Sequence, residues 1–182
     1  MDVCFISPHD TIDQHFTLLS NYMNILGIET SCDETSVAIV SDGTQVHSNV
    51  IASSQAAFEK SGGVIPEEAA RKQVESIVPV VQQAIDEANM TNDDIDAIAV
   101  TNGPGLLGSL LVGTTSARVL ASLWQTPLIG VHHTLGHLSS TWLSEKPPPP
   151  VEEGVGGGGF PIIALSVSGG HSDLWYLSLI HI

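Results

Sequence analysis

Two histidines, His133 and His137, stand four residues apart in the stretch Val131-His132-His133-Thr134-Leu135-Gly136-His137. On a helix that spacing puts both rings on one face, where two imidazoles can hold one metal ion. A zincin protease would carry Glu directly after its first histidine, and Thr134 stands there instead, so the general base of that mechanism is missing. Two histidines do not complete a site, and a third protein donor, a carboxylate, is expected. The alternative reading is a pair of surface histidines with no ligand. His132 falls off the shared face and reads as structural.

Three further segments could handle a phosphate or a cation. Glu29-Thr30-Ser31-Cys32-Asp33-Glu34-Thr35 offers hydroxyls, backbone amides and carboxylates in one turn; taken by itself, a plain polar hairpin turn is the simpler reading. Gly103-Pro104-Gly105-Leu106-Leu107-Gly108-Ser109 opens a helix, whose N-terminus favours anions. It fits neither the dinucleotide fingerprint nor the P-loop, and close helix–sheet packing would also demand small residues there. Ser166-Val167-Ser168-Gly169-Gly170-His171 can bring backbone amides against a phosphate or a planar ligand, or be an ordinary glycine turn.

The elements that must position these groups follow from periodicity. Residues 24–30 read as a buried strand, 36–41 as its hairpin partner and 46–53 as a third strand. From Pro66 the period becomes helical, with Ala69, Ala70, Val74, Ile77, Val78, Val81 and Ile85 on one face. Pro66 suits the helix start, and Pro79 is expected to kink or split the helix. A strand over 95–101, a helix over 106–124, a strand over 128–131 and a helix over 133–143 follow. Residues 144–159 are a Pro/Gly-rich loop, after which 160–176 open a second strand–turn–strand. The plan is α/β, with the opening motif about to repeat.

Composition narrows the class. The 182 residues carry 42% hydrophobic and 14% charged side chains, enough for a real core and unlike a disordered chain. The net charge of −15 repels a phosphate backbone, so any nucleic-acid substrate needs a positive surface supplied elsewhere. Cys4 and Cys32 form no CxxC pair, which excludes a zinc ribbon and a disulfide framework and fits a reducing cytoplasm. No stretch is long and apolar enough to span a membrane. Met23 is expected to be the natural start, with residues 1–22 an extension. The terminal LSLIHI, 177–182, resembles a translated sequencing adapter, so the native sequence is expected to end near Tyr176.

Taken in order, GIETSCDETSVAIV, GGVIPEEAARKQV, TNGPGLLGSLLVGTTSAR, GVHHTLGHL and ALSVSGGHSDL closely resemble the tRNA threonylcarbamoyladenosine synthesis family, best in its bacterial transferase subunit. The resemblance covers nearly all of residues 23–176. It implies an actin-like ATPase fold (the sugar kinase/Hsp70/actin superfold), with 23–143 as the first lobe and 160–176 beginning the second. It implies transfer of a threonylcarbamoyl group from threonylcarbamoyl-AMP to N6 of the adenosine 3′ of the anticodon, in tRNAs reading codons that begin with A.

By the same resemblance His133 and His137 match the family's metal-binding histidines, for iron(II) or zinc, with the third ligand an Asp beyond the end of this chain. Ser166, Val167, Ser168, Gly169 and Gly170 match a substrate loop facing threonylcarbamoyl-AMP or ATP. Asp33 and Glu34 match the acidic pair of the first loop and are the proposed proton acceptors. The partners implied are tRNA, a paralogous subunit and a small ATPase. Leu135 departs from the pattern, since many bacterial members carry Glu there. A non-catalytic paralogue would lack both the histidine pair and the SCDET loop; a sugar kinase would leave the histidines unexplained; a metallopeptidase would need HExxH. With the second lobe barely begun, the chain alone is expected to be inactive.

Overall fold

The computed structural model describes residues 23–54, 63–140, 162–167 and 172–177. Strands β1 (Asn24–Glu29), β2 (Glu34–Ser41) and β3 (Gln45–Ser53) form an antiparallel meander. The β2–β3 turn places Asp42 at φ 52° and Gly43 at φ 68°, and Thr44 N–H donates to the Ser41 carbonyl at 3.1 Å. Positive φ at both central residues defines the turn that matches strand twist, and Asp-Gly is the pair that tolerates it.

Helix α1 (Pro66–Ala88) then crosses the sheet, followed by a 3-10 turn, Asn92–Asp94, and β4 (Ala97–Gly103). Helix α2 (Leu107–Trp124), β5 (Leu128–His132) and α3 (His133–Ser140) complete the first unit. The sheet order is β3-β2-β1-β4-β5, with β4 parallel to β1 and β5 parallel to β4. A separate antiparallel pair, β6 (Ile162–Val167) and β7 (Ser172–Leu177), pairs Val167 with Ser172. The element order is therefore the one expected, and a second antiparallel strand pair does follow the first unit; its connection, 168–171, lies outside the described residues. Residues 1–22, the Pro/Gly-rich loop over 144–159 and the terminal 178–182 lie outside the described residues.

The core lies between the sheet and helices α1 and α2. Leu26, Ile28, Val37, Ile39, Ile98 and Val100 meet Ile77, Val80, Val81, Ala84, Ile85 and Ala117 there. Each Val, Leu or Ile buried this way stabilises the fold by about 1.5–3 kcal/mol. The buried face of α1 is rotated from the expected one. Gln73, Val80 and Ala84 point inward, whereas Val74 and Val78 are 62% and 72% exposed. Every apolar residue within a 3.6-residue period looks alike in sequence; only the sheet chooses the stripe that is buried.

Helix α1 also runs unbroken through Pro79. Pro79 and Glu75 are both exposed. The carbonyl that loses its intrahelical partner, that of Glu75, therefore sits on the solvent side, where it is open to water.

Candidate metal centre

Parallel pairing fixes where the chemistry collects. Because β1, β4 and β5 run the same way, their C-terminal ends, Glu29, Thr101–Gly103 and His132, share one edge of the sheet. In open α/β sheets that edge is where ligands bind. Alternation then sorts the side chains. Leu26 and Ile28 point into the helical core, so Glu29 faces the other way, as does Thr101 beside buried Val100.

Helix α3 begins directly after β5 and brings His133 to this point. His133 Nδ1 lies 3.0 Å from Glu29 Oε2 and 3.1 Å from Ser31 Oγ. Thr101 Oγ1 donates to the same Glu29 oxygen at 2.5 Å, and Ser31 N–H donates to Glu29 Oε1 at 2.5 Å. Burial pushes the Glu29 carboxyl up, but the hydrogen bonds from Ser31, Thr101 and His133 outweigh it and hold Glu29 below the ordinary carboxylate range. An ionised carboxylate only accepts, so the His133 nitrogen that faces Glu29 is on the donor side of this contact, and Nε2 is the nitrogen turned away from it.

His137, one turn on, meets that nitrogen. The two Nε2 atoms are 3.1 Å apart and the rings stand edge to face at 82°. Two imidazoles bound to one ion at about 2.0–2.1 Å would span this gap at an angle of roughly 100°. The donor chemistry and spacing thus fit a metal. Among the described residues no group of three or more His, Cys, Asp or Glu converges, so the expected third donor is not among them. Leu135 is 46% exposed on the same short helix.

The other predicted site residues fall elsewhere. Among the described residues no hydrogen bond or ion pair joins Asp33 or Glu34 to either histidine. Asp33 lines a cleft of about 120 Å³ with Thr35, Ser54, Lys72, Gln73 and Ser76. Its carbonyl accepts from Ser54 Oγ at 2.5 Å. Glu34 opens β2, exposed, opposite Ser53. Ser166 and Val167 end β6, and Ser168, Gly169 and Gly170 lie outside the described residues.

The turn between β1 and β2 is clamped from behind by both helices. Gln73 Nε2 donates to the carbonyls of Cys32 at 3.1 Å and Glu34 at 2.8 Å. Ser109 Oγ donates to Cys32 O at 2.8 Å, and Leu106 N–H to Ser31 O at 2.7 Å. A Cβ on Gly105 would lie 2.6 Å from the Ser31 carbonyl oxygen, so packing against this turn accounts for that glycine.

Sequence reasoning passed over Glu29, Ser31 and Thr101 as members of the histidine cluster. The available signal was the alternation in NILGIE, which turns its terminal carboxylate away from the core.

Known proteins resemble this chain closely. The profile of the family described as TsaD, tRNA N6-adenosine threonylcarbamoyltransferase, matches residues 45–179. A tRNA N6-adenosine threonylcarbamoyltransferase of Syntrophus aciditrophicus is 50% identical over 155 residues, 85% of this chain and 43% of that protein. One from Bacillus thuringiensis is 49% identical over 153 residues, 84% of this chain and 41% of that protein. The chain therefore spans less than half the length of these relatives. Among solved structures, YeaZ from Pseudomonas aeruginosa aligns with a TM-score of 0.44 and 25% identity, covering 60% of this chain and 44% of that one. With the mixed sheet, its covering helices and the histidine pair at the sheet edge, the profile match establishes that the chain belongs to the tRNA N6-adenosine threonylcarbamoyltransferase family and carries part of its actin-like ATPase-type fold.

Proposed function

We propose that the chain supplies the metal-binding lobe of an enzyme that moves a threonylcarbamoyl group from threonylcarbamoyl-AMP to N6 of the adenosine 3′ of the anticodon. The tRNAs are those reading codons that begin with A. The observation that carries this reading is the approach of His133 and His137 through their Nε2 atoms, backed by Glu29, in a chain of this family. His133 and His137 would hold iron(II) or zinc, with a third donor from outside the described residues. When bound, the ion supplies Lewis-acid polarisation and a fixed point for positioning the carbamoyl donor.

The chain's own groups do the rest. Glu29, Ser31 and Thr101 hold His133 in one orientation. In the segment over 166–170, backbone amides would hold the phosphate or a developing oxyanion of the nucleotide, threonylcarbamoyl-AMP or ATP. The adenine amine is a weak nucleophile, so alignment carries much of the rate. Asp33, in its own cleft, is placed to take a proton only if the substrate bridges from the histidines to that side of the turn.

The remaining partners follow from charge and surface. At −15 the chain cannot hold tRNA through its own field, so a paralogous subunit, a small ATPase or further sequence must supply cations. Exposed Val74 and Val78 on α1, with Leu107, Leu111, Val119 and Leu123 on α2, offer apolar surface to such a subunit. No helix among the described residues is long and apolar enough to cross a membrane, and a cytoplasmic location fits the tRNA substrate.

The test is a chimera in which residues 23–176 replace the matching segment of a 50%-identical relative. Supplied with partner subunit, tRNA and threonylcarbamoyl-AMP, it should form threonylcarbamoyladenosine, read by nucleoside mass spectrometry. His133→Ala and His137→Ala should each remove bound metal and product together. Wild-type product from either variant would refute the metal-centred reading.

A further inference from the structure

We infer that Glu29 is the positioning residue of the histidine pair, selecting the His133 tautomer that turns a bare Nε2 towards His137. The inference deepens the metal-site reading and rests on it for its binding consequence, though not for the tautomer itself. Three contacts build the device. Glu29 Oε2 faces His133 Nδ1 at 3.0 Å, Thr101 Oγ1 anchors the same oxygen, and Ser31 N–H anchors the other. With Thr101 O–H donating to one oxygen and Ser31 N–H to the other, the carboxyl cannot swing away, and it presents to Nδ1 an oxygen already used as an acceptor. The imidazole must therefore place its own proton on Nδ1, against the tautomer that free histidine favours in water. A carboxylate behind a ligating histidine fixes ring orientation and raises ligand basicity. Glu29 cannot also reach an ion on the far nitrogen while this bond stands, so its part is to position and not to ligate.

The sheet explains why the position is dependable. Glu29 and Thr101 end parallel neighbours β1 and β4, and His133 follows the end of β5. All three are therefore fixed by strand register and not by a loop.

The experiment uses the full chain, labelled with ¹³C and ¹⁵N, metal-free at pH 8. Long-range ¹H–¹⁵N spectra report the tautomer of each ring, with His133 assigned by its loss in His133→Ala. The wild-type ring should show protonated Nδ1, and Glu29→Ala should move it towards protonated Nε2. Cobalt(II) titration, read by visible absorption, should weaken roughly 10–100-fold in Glu29→Ala. Glu29→Gln, whose carbonyl oxygen can still accept, should rescue part of both effects.

If Glu29→Ala leaves tautomer and cobalt affinity unchanged, the inference is wrong. If wild type takes up no cobalt but the tautomer still moves, the two histidines do not hold the ion without their third donor, and the positioning role stands on the tautomer alone. If Glu29→Ala does not fold, Thr101→Val takes its place. A smaller shift in the same direction then supports the role, and no shift in either readout overturns it.

Discussion

Gln73 donates from Nε2 to the carbonyl oxygen of Glu34 at 2.8 Å, tying the middle of α1 to the first residue of β2. The same nitrogen serves the Cys32 carbonyl at 3.1 Å, and the side chain is only 1% exposed. Gln73→Leu would keep the volume and strip the amide donor from the part-buried Glu34 carbonyl, while the Cys32 carbonyl keeps Ser109 Oγ and the unpartnered Gln73 Oε1 is removed as well. Each buried acceptor left unpaired costs about 1–3 kcal/mol. We expect a loss of about 1–2 kcal/mol in urea unfolding, with an unchanged slope. A loss below about 1 kcal/mol would show that water replaces the amide.

Three glycines in the helices should answer differently to alanine. A Cβ on Gly113 would run into the Thr30 side chain, whose Oγ1 is committed to the Ser109 carbonyl at 2.8 Å. Gly113→Ala should destabilise by about 1–3 kcal/mol through overpacking. On Gly136 the Cβ meets nothing within 4 Å. Gly136→Ala should therefore stabilise α3 by up to about 1 kcal/mol, the ordinary helix-propensity gain. Gly108 is intermediate, with Ala70 Cβ at 3.3 Å. Melting temperatures in the order Gly136→Ala, Gly108→Ala, Gly113→Ala, highest first, would confirm this packing.

The depressed carboxyl of Glu29 makes stability depend on pH. Its hydrogen bonds to Ser31, Thr101 and His133 outweigh burial, so its folded pKa lies below its unfolded one. Such a group contributes stability that is present above the unfolded pKa and lost as pH falls through the folded pKa. In chelator, the unfolding free energy of wild type should fall from pH 5 downwards. Glu29→Gln should start less stable at pH 7 and show a shallower fall. Parallel profiles would mean that Glu29 is no more stable ionised in the fold than out of it.

Cys32 is exposed but not primed as a nucleophile. Partial burial of the sulfur, together with a hydrogen bond to Asp33 and its charge, raises the thiol above its ordinary range. In a Cys4→Ser background, iodoacetamide at pH 7.5 should modify Cys32 more slowly than a free thiol peptide. Asp33→Asn should speed the reaction several-fold. Equal rates in the two proteins would remove Asp33 as the cause.

Local chemistry made much of this protein legible in its sequence. Alternation in SVAIVS, the small-residue helix after Gly105 and the four-residue spacing of His133 and His137 are short-range patterns, set by the 2.0 and 3.6 periods of strand and helix. Resemblance to a family added the metal-binding role expected of the histidines. Tertiary structure alone decided what stands behind them. Glu29 and Thr101 are 72 residues apart, and Glu29 and His133 are 104 apart, so no local period links them. They meet because three parallel strands end on one edge, and register across a sheet is a long-range choice made by the whole core. The same core chose which stripe of α1 to bury, taking Gln73 and leaving Val74 and Val78 in water.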